Sequence, residues 1–385
     1  MGIRKITADQ VFDGHQLHRD KVLVVDDKGV VMHLASRTDA GAPDEVFEGI
    51  LTPGFINCHC HVELSHLKDK IPAGKGLVDF LINIVKGRKA FDTDQKTAFI
   101  KAAEQEMWNS GIEGVGDICN TLDALLVKKE SRLQWHSFVE IINFYDANME
   151  RQVGWPQQIC EAHQKLGLSA SLVPHAPYSV SGATMDVINE RTAGQIISIH
   201  NQETAAEDIL FKTGGGGFIQ MYRQFDNPGS PFPVSGRSSL QTWLPHFTNG
   251  QTILAVHNTY INEEDLAFVE QHQKQHGVRV VFCLCPNANL YIEETLPPAD
   301  LFLTHNSPVV LGTDSYSSNW QLSIAAEIKT LLKGYPALGM ERVLQWATSN
   351  GAQAMGWSAL GSFEKGKKPG VVLLDEKDFS VRRLL

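Results

Sequence analysis

Short apolar runs rich in β-branched residues recur through the middle of the chain, each separated from the next by room for a helix. The pattern predicts strands over 50–61, 111–118, 135–143, 169–175, 195–200, 252–257, 278–283 and 308–313. Amphipathic stretches at 95–109, 155–165, 263–275 and 319–332 alternate with them. Continuous apolar strands alternating with helices imply a parallel sheet covered on both faces. Eight such units in about 300 residues suit a closed barrel better than an open sheet. The expected fold class is therefore α/β, a (β/α)8 TIM-like barrel over residues 51–356. Strand-like runs at 21–25 and 30–34, and again at 370–375, predict a small β-domain in which 1–50 pair with 357–385.

Residues 211–250 lack either period and hold Gly214 to Gly217, several prolines, Arg223 and Arg237. Connections this long are usually lids or binding loops. The four glycines are not followed by the Gly-Lys-Ser/Thr of a phosphate loop, and Gly74-Lys75-Gly76 fails the same test. Both are expected to be hinges.

Composition narrows the picture. Apolar residues make up 43% and charged residues 20%, ordinary for a globular protein. The net charge of −10 argues against a nucleic-acid partner. No apolar run is long enough to span a membrane, and residues 1–16 lack the apolar core of a secretory signal. A cytoplasmic location is expected. The six cysteines read as free buried thiols. Cys58 and Cys60 flank His59 but, on a strand, point to the face opposite His59 and His61. Cys283-Leu284-Cys285 lacks the zinc spacing.

The chemistry gathers at the strand ends. Predicted strand one ends His59-Cys60-His61, strand four His175, strand five His200, strand six His257, and strand eight runs to Asp314. Catalytic groups of parallel barrels collect at that rim. His-x-His on a strand puts two imidazoles on one face about 6.6 Å apart along the backbone, which suits two ligands of one ion.

These pieces together resemble the amidohydrolase superfamily over nearly the whole chain. The matching segments are Leu51-Thr-Pro-Gly-Phe-Ile-Asn-Cys-His-Cys-His61, His175-Ala-Pro-Tyr178, His200-Asn-Gln-Glu203, His257-Asn258, Gly312-Thr-Asp314 and Ala347-Thr-Ser-Asn350. The resemblance implies a barrel with a β-sandwich built from both termini. Strand four carries no lysine to bridge two ions, so the resemblance implies a mononuclear site of the aminohydrolase branch. In that branch the ligands of one divalent ion correspond to His59, His61, His200 and Asp314. Zn(II) suits that donor set, with Fe(II) and Mn(II) as alternatives.

By the same resemblance, Glu203 shuttles a proton between a metal-activated water and a ring nitrogen, while His257 and Asp314 polarise that water. His175 resembles a substrate-contacting histidine. Glu63 and His66 directly follow the metal motif and are candidates for the pocket wall. Arg223 and Arg237 would suit a carboxylate on the substrate. The segment His61-Val-Glu-Leu-Ser65 is similar to aminodeoxyfutalosine deaminases, so the expected reaction is hydrolytic removal of ammonia from a purine nucleoside derivative. Alternatives on the same site are dechlorination of a triazine and opening of a cyclic amidine or amide. A non-catalytic binding protein is a third reading. The partner is a small-molecule substrate, and a homodimer is a common assembly for this fold.

Overall fold

Each predicted central run is a strand in the computed structural model, which describes residues 2–224 and 229–385. The strands are β1 (Phe55–Cys60), β2 (Ile112–Cys119), β3 (Gln134–Ile141), β4 (Ser169–Pro174), β5 (Ile196–Asn201), β6 (Thr252–His257), β7 (Arg279–Leu284) and β8 (Val309–Leu311). They pair in parallel as β1-β2-β3-β4 and as β5-β6-β7-β8. Two seams close the ring. The His200 N–H donates to the His175 carbonyl at 3.0 Å, and Thr313 and Asp314 both donate to the His59 carbonyl at 3.0 Å. All six residues of β1 are buried, as expected for a strand covered on both faces.

The predicted first strand, 50–61, divides in two. Glu45–Thr52 belongs to another sheet, and Phe55–Cys60 enters the barrel. Pro53 supplies no N–H. Gly54 donates its own N–H to the Pro369 carbonyl at 2.9 Å, and a Cβ there would stand 2.2 Å from Glu113 Cγ. The Pro-Gly pair is where the chain passes from one sheet to the other.

That other sheet is drawn from both ends of the chain and has seven strands. Its order is Val381–Arg383, Val372–Leu374, Glu45–Thr52, Ile3–Phe12, Lys21–Asp26 and Val31–Ser36, with Leu17–His18 paired to Ile3–Phe12. Ile6, Val11, Leu23, Val25, Leu51 and Val371 form its buried cluster.

Stretch 211–250 is partly helical and not an open loop. Ala205–Thr213 runs into it, and Gly217–Gln224 and Ser239–Trp243 follow. Residues 225–228 of that stretch lie outside the described residues. Gly214 ends the first helix in the left-handed conformation (φ 73°) with its N–H on the Leu210 carbonyl, the usual role of a glycine there. Phe218, Met221, Tyr222 and Phe232 pack with Leu64, Leu77, Phe80 and Tyr178 in a second apolar cluster beside the barrel mouth. The glycines at 74 and 76 are also tied down, donating to the carbonyls of Tyr291 (2.7 Å) and Ile292 (3.0 Å). Among the described residues, no helix is long and apolar enough to cross a membrane.

Candidate active site

Four imidazoles and two carboxylates converge at the C-terminal ends of the strands. His59 Nε2 and His61 Nε2 stand 3.2 Å apart, as do His61 Nε2 and His200 Nε2. Asp314 Oδ1 lies 3.4 Å from His59 Nε2 and 3.3 Å from His61 Nε2. A tetrahedral ion with ligand distances of about 2.05 Å places its donor atoms about 3.3 Å apart. These four separations match the edge length of such a tetrahedron, so the donor set suits one divalent ion.

Second contacts orient the ligands. His200 Nδ1 donates to the His175 carbonyl at 2.7 Å, leaving Nε2 for the site. The second oxygen of Asp314 is not free, because Ser318 donates its hydroxyl to it at 2.5 Å. Asn57 holds the Thr313 hydroxyl and N–H at 2.8 and 3.0 Å, fixing the strand-eight end beside His59.

Two of these side chains reach the site through left-handed backbone, His257 at φ 75° and Asp314 at φ 56°. Such conformations cost on the order of 1–3 kcal/mol and persist only where the surroundings over-determine them. Around His257 a buried chain does so. Trp243 donates to Asn201 (2.8 Å), Asn201 to Asn258 (2.9 Å), and Asn258 to the Ala255 carbonyl (2.8 Å).

Glu203 and His257 face each other, with Glu203 Oε1 3.6 Å from His257 Nε2. That His257 nitrogen is buried and has no hydrogen-bond partner. Burial pushes the Glu203 carboxyl well above the usual range, helped by Asp314, Glu207 and Glu293. Burial pushes the histidines the other way, His200 down to about 4 and His175 to about 3, with His61 and His257 also well below the usual value. Burial thus favours the neutral imidazole at His61, His175, His200 and His257, the form in which a histidine binds a metal. Asp314 is held well below the carboxylate range despite its burial, which acts to raise it, by His59, His61 and His257.

The pocket above this cluster is walled by Leu77, Phe80, Leu81 and Ile84 of the helix Leu77–Gly87, and His175 lines it. His175 Nδ1 meets the Ser179 hydroxyl at 2.6 Å, so its other nitrogen is the one left for a ligand. The remaining sequence-derived candidates lie elsewhere. Glu63 is buried behind the wall, where it binds Arg88 (2.9 Å), the N–H groups of Asn120 and Thr121 and the Thr121 hydroxyl. His66 turns to the Glu63 carbonyl and the Phe91 ring. Arg223 and Arg237 are exposed, and neither is among the described residues lining the pocket. The charged wall residues are instead Arg88 and Glu140, which the strand-end histidine pattern passed over.

The model of the amidohydrolase family matches residues 50–384, and the chain belongs to that family. Aminodeoxyfutalosine deaminase of Nitratiruptor sp. is 23% identical over 373 residues, covering 93% of this chain and 87% of that protein. The 5-methylthioadenosine/S-adenosylhomocysteine deaminase of Syntrophomonas wolfei is 26% identical over 392 residues, covering 92% and 80%. The crystal structure of Helicobacter pylori aminofutalosine deaminase in complex with methylthio-coformycin shares the fold, with a TM-score of 0.79 and 22% identity. It covers 97% of this chain and 93% of that one.

Proposed function

We propose that this protein is a metal-dependent hydrolytic deaminase of a 6-aminopurine nucleoside derivative. The observation that carries the reading is the cluster of His59, His61, His200 and Asp314 donor atoms with Glu203 buried beside it. The similar deaminases named above support the substrate class. Zn(II) is the ion that three imidazoles and a carboxylate best suit, and when bound it lowers the pKa of water toward ~7.

This chain's own groups supply the rest. Burial disfavours the anion of Glu203 and so favours its protonated form. Glu203 can therefore protonate the ring nitrogen on which electrons accumulate as water adds to the amino-bearing carbon. His257 offers its unpartnered Nε2 to the attacking water. The apolar helix wall excludes bulk water from the reacting carbon. Left as a carboxylate, Glu203 takes a proton from the attacking water and passes it to the amino group, which leaves as ammonia. The added hydroxyl returns its remaining proton to Glu203 as the carbonyl forms. His175 contacts the ring through its free nitrogen.

The test is ammonia release by the purified, metal-assayed protein across adenosine, 5′-methylthioadenosine, aminodeoxyfutalosine, cytosine, guanine and aminotriazines. Release from adenine nucleosides alone is expected. Release confined to the other substrates overturns the nucleoside reading.

A further inference from the structure

The metal motif His59-Cys60-His61 is gripped on both sides where β1 ends. On the β8 side the His59 carbonyl accepts the Thr313 and Asp314 N–H groups, both at 3.0 Å. On the β2 side the backbone pairing is irregular, its register shifting between Asn57 and Cys60. The chain leaves His61 (φ −125°, ψ 75°) straight into the short turn Val62–Leu67, so His61 stands where a capping side chain is expected. It makes no capping bond, because its imidazole faces His59 and His200 in the metal cluster. Val62 is fully buried, and its N–H therefore needs an acceptor from elsewhere.

Asp117 of β2 supplies it. Its Oδ1 accepts the Val62 N–H at 2.7 Å, and its Oδ2 lies 2.6 Å from Lys128 Nζ. Lys128 donates in turn to the Ser137 hydroxyl of β3 at 2.8 Å. Both charged side chains are buried, at 1% exposure for Asp117 and 0% for Lys128. A buried ion pair adds little net stability over an apolar pair of the same volume. What an apolar pair could not supply is an acceptor fixed beside the last residue of the metal motif. Neither Asp117 nor Lys128 is among the described residues lining the pocket, and neither touches the reacting groups.

We infer that Asp117 is a positioning residue for the metal. By holding the Val62 N–H it sets the chain's exit from His61, and with it the direction of that imidazole, while Lys128 keeps the carboxylate in place. The assignment rests on the metal site proposed above and not on the identity of the substrate.

Two double variants test it. Asp117→Asn/Lys128→Met and Asp117→Leu/Lys128→Met both remove the buried charges, and only the first keeps an oxygen able to accept the Val62 N–H. Zn(II) affinity is measured for each by chelator competition. The Co(II)-substituted proteins are compared by visible absorption, and unfolding midpoints are recorded. Removing a contact that orients a metal ligand lowers affinity by about ten- to a hundredfold. That loss is expected in the leucine form, with an altered Co(II) spectrum. The asparagine form should stay within about threefold of wild type and keep its spectrum. Should the leucine form not fold, Asp117→Ala/Lys128→Met is read in its place, with the same expectation. Glu113→Gln is the control for general destabilisation. It breaks the Arg383–Glu113 pair at the opposite end of β2, and should lower the midpoint with Zn(II) affinity unchanged. Equal affinities in the two double variants, or an equal loss in Glu113→Gln, would overturn the assignment and leave the pair a matter of stability alone. Wild type that binds no Zn(II) removes the metal site itself, and the assignment falls with it.

Discussion

The carboxylate of Glu207 holds the backbone of Glu203, accepting the Glu203 N–H on one oxygen at 2.8 Å and the Gln202 N–H on the other at 3.0 Å. Ser239 adds its hydroxyl at 2.9 Å. The turn that aims Glu203 at the site is thus fixed from the following helix, Ala205–Thr213, by a fully buried acceptor. In Glu207→Gln one of the two N–H groups meets an amide NH2, a loss of about 1–3 kcal/mol. A lower unfolding midpoint and a lower kcat with full metal content are expected. Unchanged kcat would mean that Glu203 is aimed by other contacts.

Glu207 also sets a pH dependence. Burial pushes its carboxyl up from 4.5 to about 7. The folded value lies above the unfolded one, so the native form binds the proton more tightly. Its stabilising contribution is complete below about pH 4.5 and is lost as the pH rises toward 7. Between pH 5 and pH 7.5, Glu207→Gln should lose less stability than wild type, read from denaturant midpoints. Parallel pH profiles would contradict the assignment.

Metal capture should resist acid. With His200 held down to about 4 and His61 well below its usual value, protons do not compete for these nitrogens in the mildly acidic range. Three ordinary histidines would lose about a thousandfold in affinity between pH 7.5 and pH 5.5. Calorimetric Zn(II) titration of the apoprotein is expected to show a drop of less than about tenfold. A drop of the full size would mean that the apo site opens and hydrates its ligands.

Glu203→Gln should keep one ion per chain and lower turnover by about 10²- to 10⁴-fold, the usual share of general acid–base catalysis. Elemental analysis and ammonia assays on the same preparation decide it. Loss of the ion would make Glu203 structural.

Gly312 is packed against the metal motif. A Cβ there would stand 2.7 Å from His59 Cβ and 3.0 Å from the sulfurs of Cys283 and Cys285. Gly312→Ala should displace His59 and reduce metal content, while an alanine at Gly250, where a Cβ meets nothing within 4 Å but φ is 71°, should cost stability alone. Equal metal content in both variants would contradict the packing argument.

The barrel strands and the six converging groups were legible because each lies at the C-terminal end of an apolar run, where strand periodicity and chemistry coincide. The break at Pro53-Gly54 was readable in principle from proline's missing N–H, yet the apolar run continues across it. The helices in 211–250 were hidden by glycines that cap rather than interrupt them. Glu140 had a signal, a lone charge near the end of Gln134–Ile141, which attention to histidines overlooked. Arg88 had none, because its place depends on Glu63, a residue distant in sequence whose carboxylate turns away from the pocket. Arg223 and Arg237 were suggested by loop length and charge alone, and neither measure knows which way a helix faces.

The central claim is that water displaces ammonia from the amino-bearing carbon of an adenine nucleoside with Glu203 moving the proton. Mass spectrometry of the product formed in ¹⁸O-labelled water tests it most directly. One labelled oxygen per product, one ammonia released with it, and the loss of both in Glu203→Gln are the predicted result. Product without label, or equal conversion by Glu203→Gln, would contradict the account.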